Sequence, residues 1–322
     1  MAISRPVIGI DLGGTNMQIG VVSGADRVVG RAKKKTKAAE GAKAVIGRMV
    51  EGIQEACKEA GLSTRSLAAI GIGAAGAIDP HTGTVVWAPN LRWTNVPLAR
   101  ILSTKLGKPV VVDNDVRSAA VGEHRLGAGR GASEMLAVWI GTGIGGGLIL
   151  RNHLYHGFTN TAGEIGHMTL FPHLPPGVTS VENNCSRTAV VSRIVGQINT
   201  NQKSIVPKLA GGDLTAVKAG IVAEAYQRGD RVTQRVVNDA ARNLGIAVAN
   251  VVTTLGLQRV VVGGGLTEAM GETLVGMIRD SVQAHAYPAI AKRVHVVMTR
   301  LQADAGLLGA AVLAREHKTR KP

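Results

Sequence analysis

The chain is poor in cysteine, in aromatic residues and in acids, and each shortage excludes something. Two cysteines, Cys57 and Cys185, lie far apart in the 322 residues. That rules out a disulfide-stapled scaffold and fits a reducing compartment. Aromatics are 2% of the chain, so the core must come from aliphatic residues and close backbone contacts. No run of 18 apolar residues occurs, which excludes a membrane-spanning helix. The opening "MAISRPVIGID" leads straight into a strand pattern, so neither a signal peptide nor a membrane partner is expected, and the expected location is the cytoplasm. Acids number 22 against 37 lysines and arginines, for a formal charge of +15. The densest basic run, "RAKKKTK" from Arg31 to Lys37, has no interleaved aromatics for base stacking. We read it as a solvated edge strand guarded by lysines, with no nucleic-acid partner. The phosphate-binding spacing GxxxxGK[ST] is also missing.

What is present is 45% hydrophobic residues and 42 glycines, enough for a sizeable core across two domains. The stretch "IGIDLGGTNMQIGVV", Ile8 to Val22, reads as strand, glycine turn, strand. The pattern returns in "MLAVWIGTGIGGGLIL", Met135 to Leu150, which suggests a duplicated α/β core. A third glycine element, "RVVVGGGLTEA" from Arg259, reads as a buried strand running into a helix. Val45, Ile46, Met49, Val50, Ile53, Ala56 and Cys57 form a helical stripe closed by Gly61, with Cys57 as inert core. Further helices are expected over about 232–252, ending near Gly256, and over about 306–316. Strands and helices alternate throughout, so a largely parallel sheet in an α/β fold is predicted. Ligands in such folds sit where strand C-termini meet helix N-termini.

Backbone N–H groups of a glycine-lined turn can face phosphate oxygens without a lysine. Asp11, at the mouth of the first turn, is suited to Mg²⁺ through water, because magnesium is held by few carboxylates plus phosphate oxygens. A glycine hairpin taken alone is only a tight turn; three of them with Asp11 point to ATP. In "VVVDNDVRS", Asp113, Asn114 and Asp115 end a strand where a helix begins. Local sequence favours an N-cap there; the alternative is a general base for a substrate hydroxyl. "NTAGEIGHM" sets Glu164 and His167 three apart between glycines, and "VVWAPNLRWTNVPL" places Asn90 in a loop between two tryptophans. Carboxylates, amides and imidazoles of this kind hold polyols.

Taken in order, "IGIDLGGTN", "GIGAAGAID", "APNLRW", "VDNDVRSAA", "WIGTGIGGGLIL", "AGEIGHM", "VVVGGGL" and "DAGLLGAA" resemble the ROK family of repressors, uncharacterised reading frames and sugar kinases, over nearly the whole chain. The resemblance is greatest to its glucokinases. It implies an actin-like ATPase (ribonuclease H-like) fold of two duplicated α/β domains with ATP in the cleft between them. The expected division is 1–120 and 121–304, with a C-terminal helix over about 305–318 packing on the first domain. The implied reaction is transfer of the γ-phosphoryl group of ATP to a hexose hydroxyl, normally O6 of glucose. By motif position, Asp115 is the implied base, and Asn90, Asn114, Glu164, His167 and Glu182 the implied sugar ligands. Gly13, Gly14, Thr15, Gly141, Thr142 and Gly143 would lie near the phosphates, and Gly264 and Gly265 beside the adenosine. A homodimer is implied as well. Family repressors carry an added DNA-binding segment, for which no room is expected before a strand at Val7. Alternatives are a kinase for fructose, mannose, N-acetylglucosamine or N-acetylmannosamine, and a non-catalytic sugar sensor.

One departure stands out. Most members follow "GEIGH" with CxCGxxGCLE, whose thiols bind structural zinc together with that histidine. Here the segment is "HMTLFPHLPPGVTSVENNCSR", with Ser180 at the last cysteine position and Glu182 at the glutamate. Only His167, His173 and Cys185 remain as zinc donors, so no structural zinc is expected. Phe171, Leu174 and Val178 are expected to plug the space, with Pro172, Pro175 and Pro176 stiffening the loop.

Overall fold

A computed structural model describes residues 5–319. The elements run β1 (Val7–Leu12), β2 (Asn16–Val22), β3 (Val28–Lys35), α1 (Gly41–Glu59), β4 (Ile70–Ala74), β5 (Ala77–Asp79), β6 (Thr84–Ala88), β7 (Trp93–Val96), α2 (Leu98–Leu106), β8 (Val110–Asn114) and α3 (Asp115–Leu126). They continue with β9 (Met135–Ile140), β10 (Ile144–Leu150), β11 (His153–Tyr155), α4 (Val181–Cys185), α5 (Arg187–Asn199), α6 (Val206–Leu209), α7 (Ala219–Gln227) and α8 (Arg231–Leu255). The last are β12 (Arg259–Gly263), α9 (Gly265–Met270), α10 (Glu272–His285), β13 (His295–Met298) and α11 (Ala305–Thr319).

The duplication expected from the two glycine hairpins is real. One sheet has the order β3-β2-β1-β4-β8 and the other β11-β10-β9-β12-β13, the same reversed triplet followed by two crossover strands. β1 is antiparallel to β2 but parallel to β4, which is parallel to β8. β9 is likewise parallel to β12, and β12 to β13. A small antiparallel sheet, β5-β6-β7, completes the set. By internal contacts the chain divides into two compact units, the described parts of Met1–Gly131, Gly147–Ala162 and Ala303–Pro322, and Ala132–Gly146 with Gly163–Gln302. The division thus comes after α3, and 147–162 belongs with the first unit.

Local sequence explains the elements. In β1, "VIGIDL" is buried on both faces except at Asp11, as a central strand covered on two sides must be. β3 is the sheet edge, and its residues alternate, with Arg31, Lys33 and Lys35 exposed. Lysines there discourage pairing with another chain, the role expected of "RAKKK". α1 buries Val45, Ile46, Met49, Ile53, Ala56 and Cys57, the predicted stripe. α8 ends at Gly256, which takes the left-handed conformation that terminates helices (φ 65°). Ile8, Ile10, Leu12, Ile19, Ile70 and Ile72 centre the first core on β1, β2 and β4. α11 packs on β1, β4 and α3. Among the described residues, no helix is long and apolar enough to cross a membrane.

Candidate active site

In the first unit, β1, β4 and β8 are parallel and in register, with Asp11 opposite Gly73 and Gly73 opposite Asp113. Their C-terminal ends therefore bring together Asp11, the turn Gly13-Gly14-Thr15, Asn114 and Asp115. The first turn is closed by Gly13 N–H donating to Asn16 O (3.1 Å). It is braced by Thr36, a residue that sequence reasoning missed. Thr36 is fully buried, its hydroxyl donates to Gly13 O (2.6 Å), and its N–H donates to Thr15 O (2.9 Å). Arg48 in turn donates to Thr36 O (2.7 Å) and to Glu40 (2.6 Å). Nothing local distinguishes Thr36 from the surrounding lysines; only the fold shows that it follows β3 directly and lies beneath the turn. Asn90 is exposed in a short 3-10 turn, and a Cβ on Gly14 would lie 3.0 Å from the Asn90 Cβ and carbonyl oxygen. The glycine thus lets the first turn and the Asn90 loop meet.

The "DND" residues divide their work. Asn114 is the N-cap of α3, its Oδ1 accepting from Val116 N (2.9 Å) and Arg117 N (3.1 Å), while its amide donates to Gly76 O (3.2 Å). The cap that local sequence favoured is therefore Asn114. Asp113 is structural. One of its oxygens accepts from Arg117 Nε (2.6 Å) and Asn114 N (2.7 Å), and the other pairs with His156 Nε2 (2.7 Å). Burial pushes its carboxyl up, but the His156 hydrogen bond and the Arg117 charge outweigh this and hold it below the usual range. Arg117 also donates to Asn160 O, so the network ties the 153–160 segment to the end of β8. That network went unseen because His156 and Asn160 lie some forty residues on.

Asp115 opens α3 as its first residue. Burial raises its carboxyl above the ordinary carboxylate value, against the opposing Val116 N–H. Asp11 is raised to about 7, by burial first and then by the Asp115 charge. The N-terminal turn of α11 abuts it, with a Cβ on Gly306 only 3.1 Å from the Asp11 carboxyl carbon. The Asp115 charge adds to the rise at Asp11, a like-charge strain that a bound divalent cation would relieve, and Asp11 fits Mg²⁺ in that sense. This arrangement costs stability. A carboxyl raised from 3.8 to about 7 binds more protons folded than unfolded between those values. Stability is therefore lost as pH rises through that window. Asp11→Asn should melt higher than the parent at pH 8 without nucleotide or metal, by about 3 °C or more, and the gain should vanish near pH 4. Thermal denaturation over pH reads this directly; parallel curves for the two proteins would contradict it.

In the second unit, β9 and β10 flank the turn Gly141-Thr142-Gly143, closed by Gly141 N–H donating to Gly143 O (2.9 Å). Glu182, in α4, reaches this turn. Its Oε2 accepts from Ile144 N (2.8 Å), and a Cβ on Gly143 would fall 2.1 Å from the same oxygen. Only glycine leaves room for that carboxylate. "GEIGH" folds as a 3-10 turn over Ile165–His167 pressed on β10, since a Cβ on Gly166 would meet Ile144 O at 2.0 Å. His167 is exposed and Glu164 partly so. Val181 N–H donates to Met168 O (3.0 Å), which brings Glu182 alongside the Glu164–His167 turn. Gly264, at φ 92°, caps α9 against the backbone of Ile140, so Gly264 and Gly265 stand beside the strand that enters the second turn. Arg187, the first residue of α5, also reaches the turn: its Nη2 donates to Thr142 Oγ1 (2.9 Å) and its N–H to Gly141 O (3.1 Å). Sequence reasoning missed it as well; the only local signal is the N-cap pattern of Ser186.

The expected apolar plug is corrected by the structure. Val178 is 45% exposed, Phe171 and Leu174 are only partly covered, and Pro172, Pro175 and Pro176 are exposed. The loop is held by its backbone instead. Thr169 bridges Ser180, Leu170 and Phe171 N–H donate to Thr179 O, and Asn184 donates to the carbonyls of Val178 and Ser180. Prolines cannot donate to such a scaffold and are left at the surface. Among the described residues, no group of three or more His, Cys, Asp or Glu is placed to hold a metal. The remaining donors also fit zinc poorly. Cys185 is buried among apolar side chains such as Val190, Val237 and Leu244, and burial pushes its thiol up to about 12. Zinc needs the thiolate. Elemental analysis of protein purified without added metal should therefore find well under one zinc per chain; stoichiometric zinc that survives dialysis would contradict this.

The ROK family model matches residues 7–317. A glucokinase from Thermotoga maritima is 34% identical over 319 residues, covering 96% of this chain and 97% of the relative. The chain belongs to the ROK family. A glucokinase from Halalkalibacterium halodurans is 31% identical, covering 98% of this chain and 96% of the relative. Among solved structures, a ROK family glucokinase from Streptomyces griseus in complex with glucose and AMPPNP superposes with a TM-score of 0.85. It is 31% identical, over 97% of this chain and 99% of that one. The actin-like fold with two duplicated α/β domains follows from these matches and from the repeated sheet order.

Proposed function

We propose that this ROK protein phosphorylates glucose with ATP, giving glucose 6-phosphate and ADP. The observation that carries the reading is Asp115: a carboxylate at the end of a parallel strand, opening a helix, with its affinity for protons raised by burial. A base that must take a proton from a sugar hydroxyl is better matched in that state than as an ordinary surface aspartate. The relatives named as glucokinases supply the substrate.

In this reading Asp115 accepts the O6 proton as O6 bonds to the γ-phosphorus and the bond from that phosphorus to the β–γ bridging oxygen breaks. The proton leaves with Asp115 and ADP carries the released charge. Asn90, Asn114, Glu164, His167 and Glu182 hold the sugar hydroxyls. The caps and contacts that fix Asn114 and Glu182 make them rigid partners, which aids orientation. The two glycine turns receive phosphate oxygens, with Thr36 stiffening the first, and Gly264 and Gly265 lie beside the nucleoside. Mg²⁺, when bound, neutralises β- and γ-phosphate charge; Asp11 is the residue that would hold it. The protein works in the cytoplasm as a homodimer, the arrangement family resemblance implies, which light scattering of the purified protein tests.

The deciding experiment is a coupled ADP-release assay with ATP and Mg²⁺ over glucose, fructose, mannose, N-acetylglucosamine and N-acetylmannosamine. Glucose should give the highest kcat/KM. A different preferred hexose would move the substrate, and no turnover with any hexose would remove the kinase reading.

A further inference from the structure

Both glycine turns lack a lysine, yet a triphosphate carries several negative charges. The second turn has a cation from elsewhere in the chain. Arg187 begins the 13-residue helix α5, whose start is fixed by Ser186, 2% exposed, with its Oγ accepting from Ala189 N (3.1 Å). The Arg187 N–H is bonded to Gly141 O, so helix start and turn are joined through backbone. From there the guanidinium reaches Thr142 Oγ1 at the exposed tip of the turn.

Several features make this an anion-facing arrangement. The internal bonds of the turn leave the N–H groups of Thr142 and Gly143 unengaged. Among the described residues no carboxylate pairs with Arg187, whereas Arg193, farther along α5, is paired with Asp239. One Nη donor of Arg187 is used on Thr142, and the fork keeps its remaining donors for a second oxygen. Arginine's fixed fork matches phosphate oxygens two at a time. The positive end of α5 adds to the same potential. Glu182, which occupies the Ile144 N–H on the β10 side of the turn, leaves the Thr142 side to the anion.

We infer that Arg187 is the phosphate-binding cation of the second glycine turn, contacting the polyphosphate of the nucleotide and supplying the charge that a lysine gives in other phosphate loops. The inference rests on the ATP-dependent reading above. The test compares Arg187→Ala and Arg187→Lys with the parent, by steady-state kinetics and by calorimetry with ADP, AMP and glucose.

Arg187→Ala should raise KM for ATP and Kd for ADP by about 10- to 100-fold, the scale of a charged hydrogen bond. Glucose affinity and AMP affinity should stay within about twofold. Arg187→Lys should recover part of the loss, because charge returns without the fork. Equal loss for ADP and AMP would make Arg187 a prop for the turn rather than a phosphate ligand and would overturn the inference. So would unchanged ATP kinetics in Arg187→Ala with an active parent. If Arg187→Ala does not fold, Arg187→Lys carries the test: a KM for ATP and a Kd for ADP raised several-fold with AMP affinity within about twofold support a phosphate contact through the fork, and either parent-like values throughout or equal losses on both nucleotides overturn it. A parent protein that turns over no hexose while ADP still binds far better than AMP would sink the glucose reading alone.

Discussion

Asp115→Asn should cut kcat by at least about 10²-fold while leaving glucose binding close to normal, the usual scale for loss of a general base. The substitution is nearly isosteric. An amide oxygen can still accept from Val116 N, the bond Asp115 Oδ1 makes at 2.9 Å, so the first turn of α3 keeps its geometry. What changes is the charge. Burial already disfavours the ionised carboxylate, so removing it relieves the fold rather than harming it. The neighbouring Asp11 also loses a like charge, and its raised proton affinity should fall toward normal. The expected variant is therefore inactive but at least as thermostable as the parent, a combination that an unfolding artefact cannot give. Calorimetry with glucose, thermal melting and kcat on one preparation check all three. Turnover within a few-fold of the parent would take Asp115 out of the mechanism and leave it as a first-turn acid beside the Asn114 cap.

The frame of the molecule was legible where local chemistry decides it. The β1 and β9 hairpins, the α1 stripe, the strand-to-helix junction at Asn114 and Asp115, and the helix stop at Gly256 all follow from short-range patterns. What was hidden depends on partners distant in sequence. Thr36 looks like one more residue of a basic run until β3 pairs with β2 and carries it under Gly13. Asp113 is indistinguishable from Asp115 by composition, yet an ion pair with Arg117 and a hydrogen bond with His156 make it a structural hub while Asp115 stays apart. The loop after His167 misled for a different reason. Apolar residues were expected to bury themselves, but a loop with three prolines has few donors. The hydrogen-bonded bridge at Thr169 and Ser180 sets its path, with Val178 facing outward.

Gly309→Ala should destabilise the protein by about 2 kcal/mol or more, the upper part of the range for overpacking, and lower kcat with it. Two effects of opposite sign compete. Replacing a mid-helix glycine by alanine normally favours the helix by about 1 kcal/mol. Here α11 lies against α3 backbone to backbone. A Cβ on Gly309 would sit 1.7 Å from Ser118 O and 2.6 Å from its carbonyl carbon, with Gly122 N at 2.8 Å. No rotamer change relieves contact with backbone, so one helix must move by an ångström or more. α11 cannot retreat freely, because its other side is equally close: a Cβ on Gly71 would meet Ala310 O at 1.8 Å, and one on Gly9 would meet Leu307 O at 2.0 Å. The steric cost therefore exceeds the propensity gain. The functional cost comes from what the two helices carry. α3 starts at Asp115, and the first turn of α11 touches Asp11 through Gly306. The proposed reaction gives Asp115 the part of base and Asp11 that of holding Mg²⁺, so displacing either helix would disturb one of these carboxylates, and an error of about 1 Å can cost a hundredfold in rate. Gly276, within α10, is the control, since a Cβ there has no neighbour within 4 Å; Gly276→Ala should stabilise by about 0.5–1 kcal/mol and leave kcat alone. Denaturant titration and initial rates on both variants test the pair. A Gly309→Ala protein as stable as Gly276→Ala would mean that α3 and α11 are not in backbone contact.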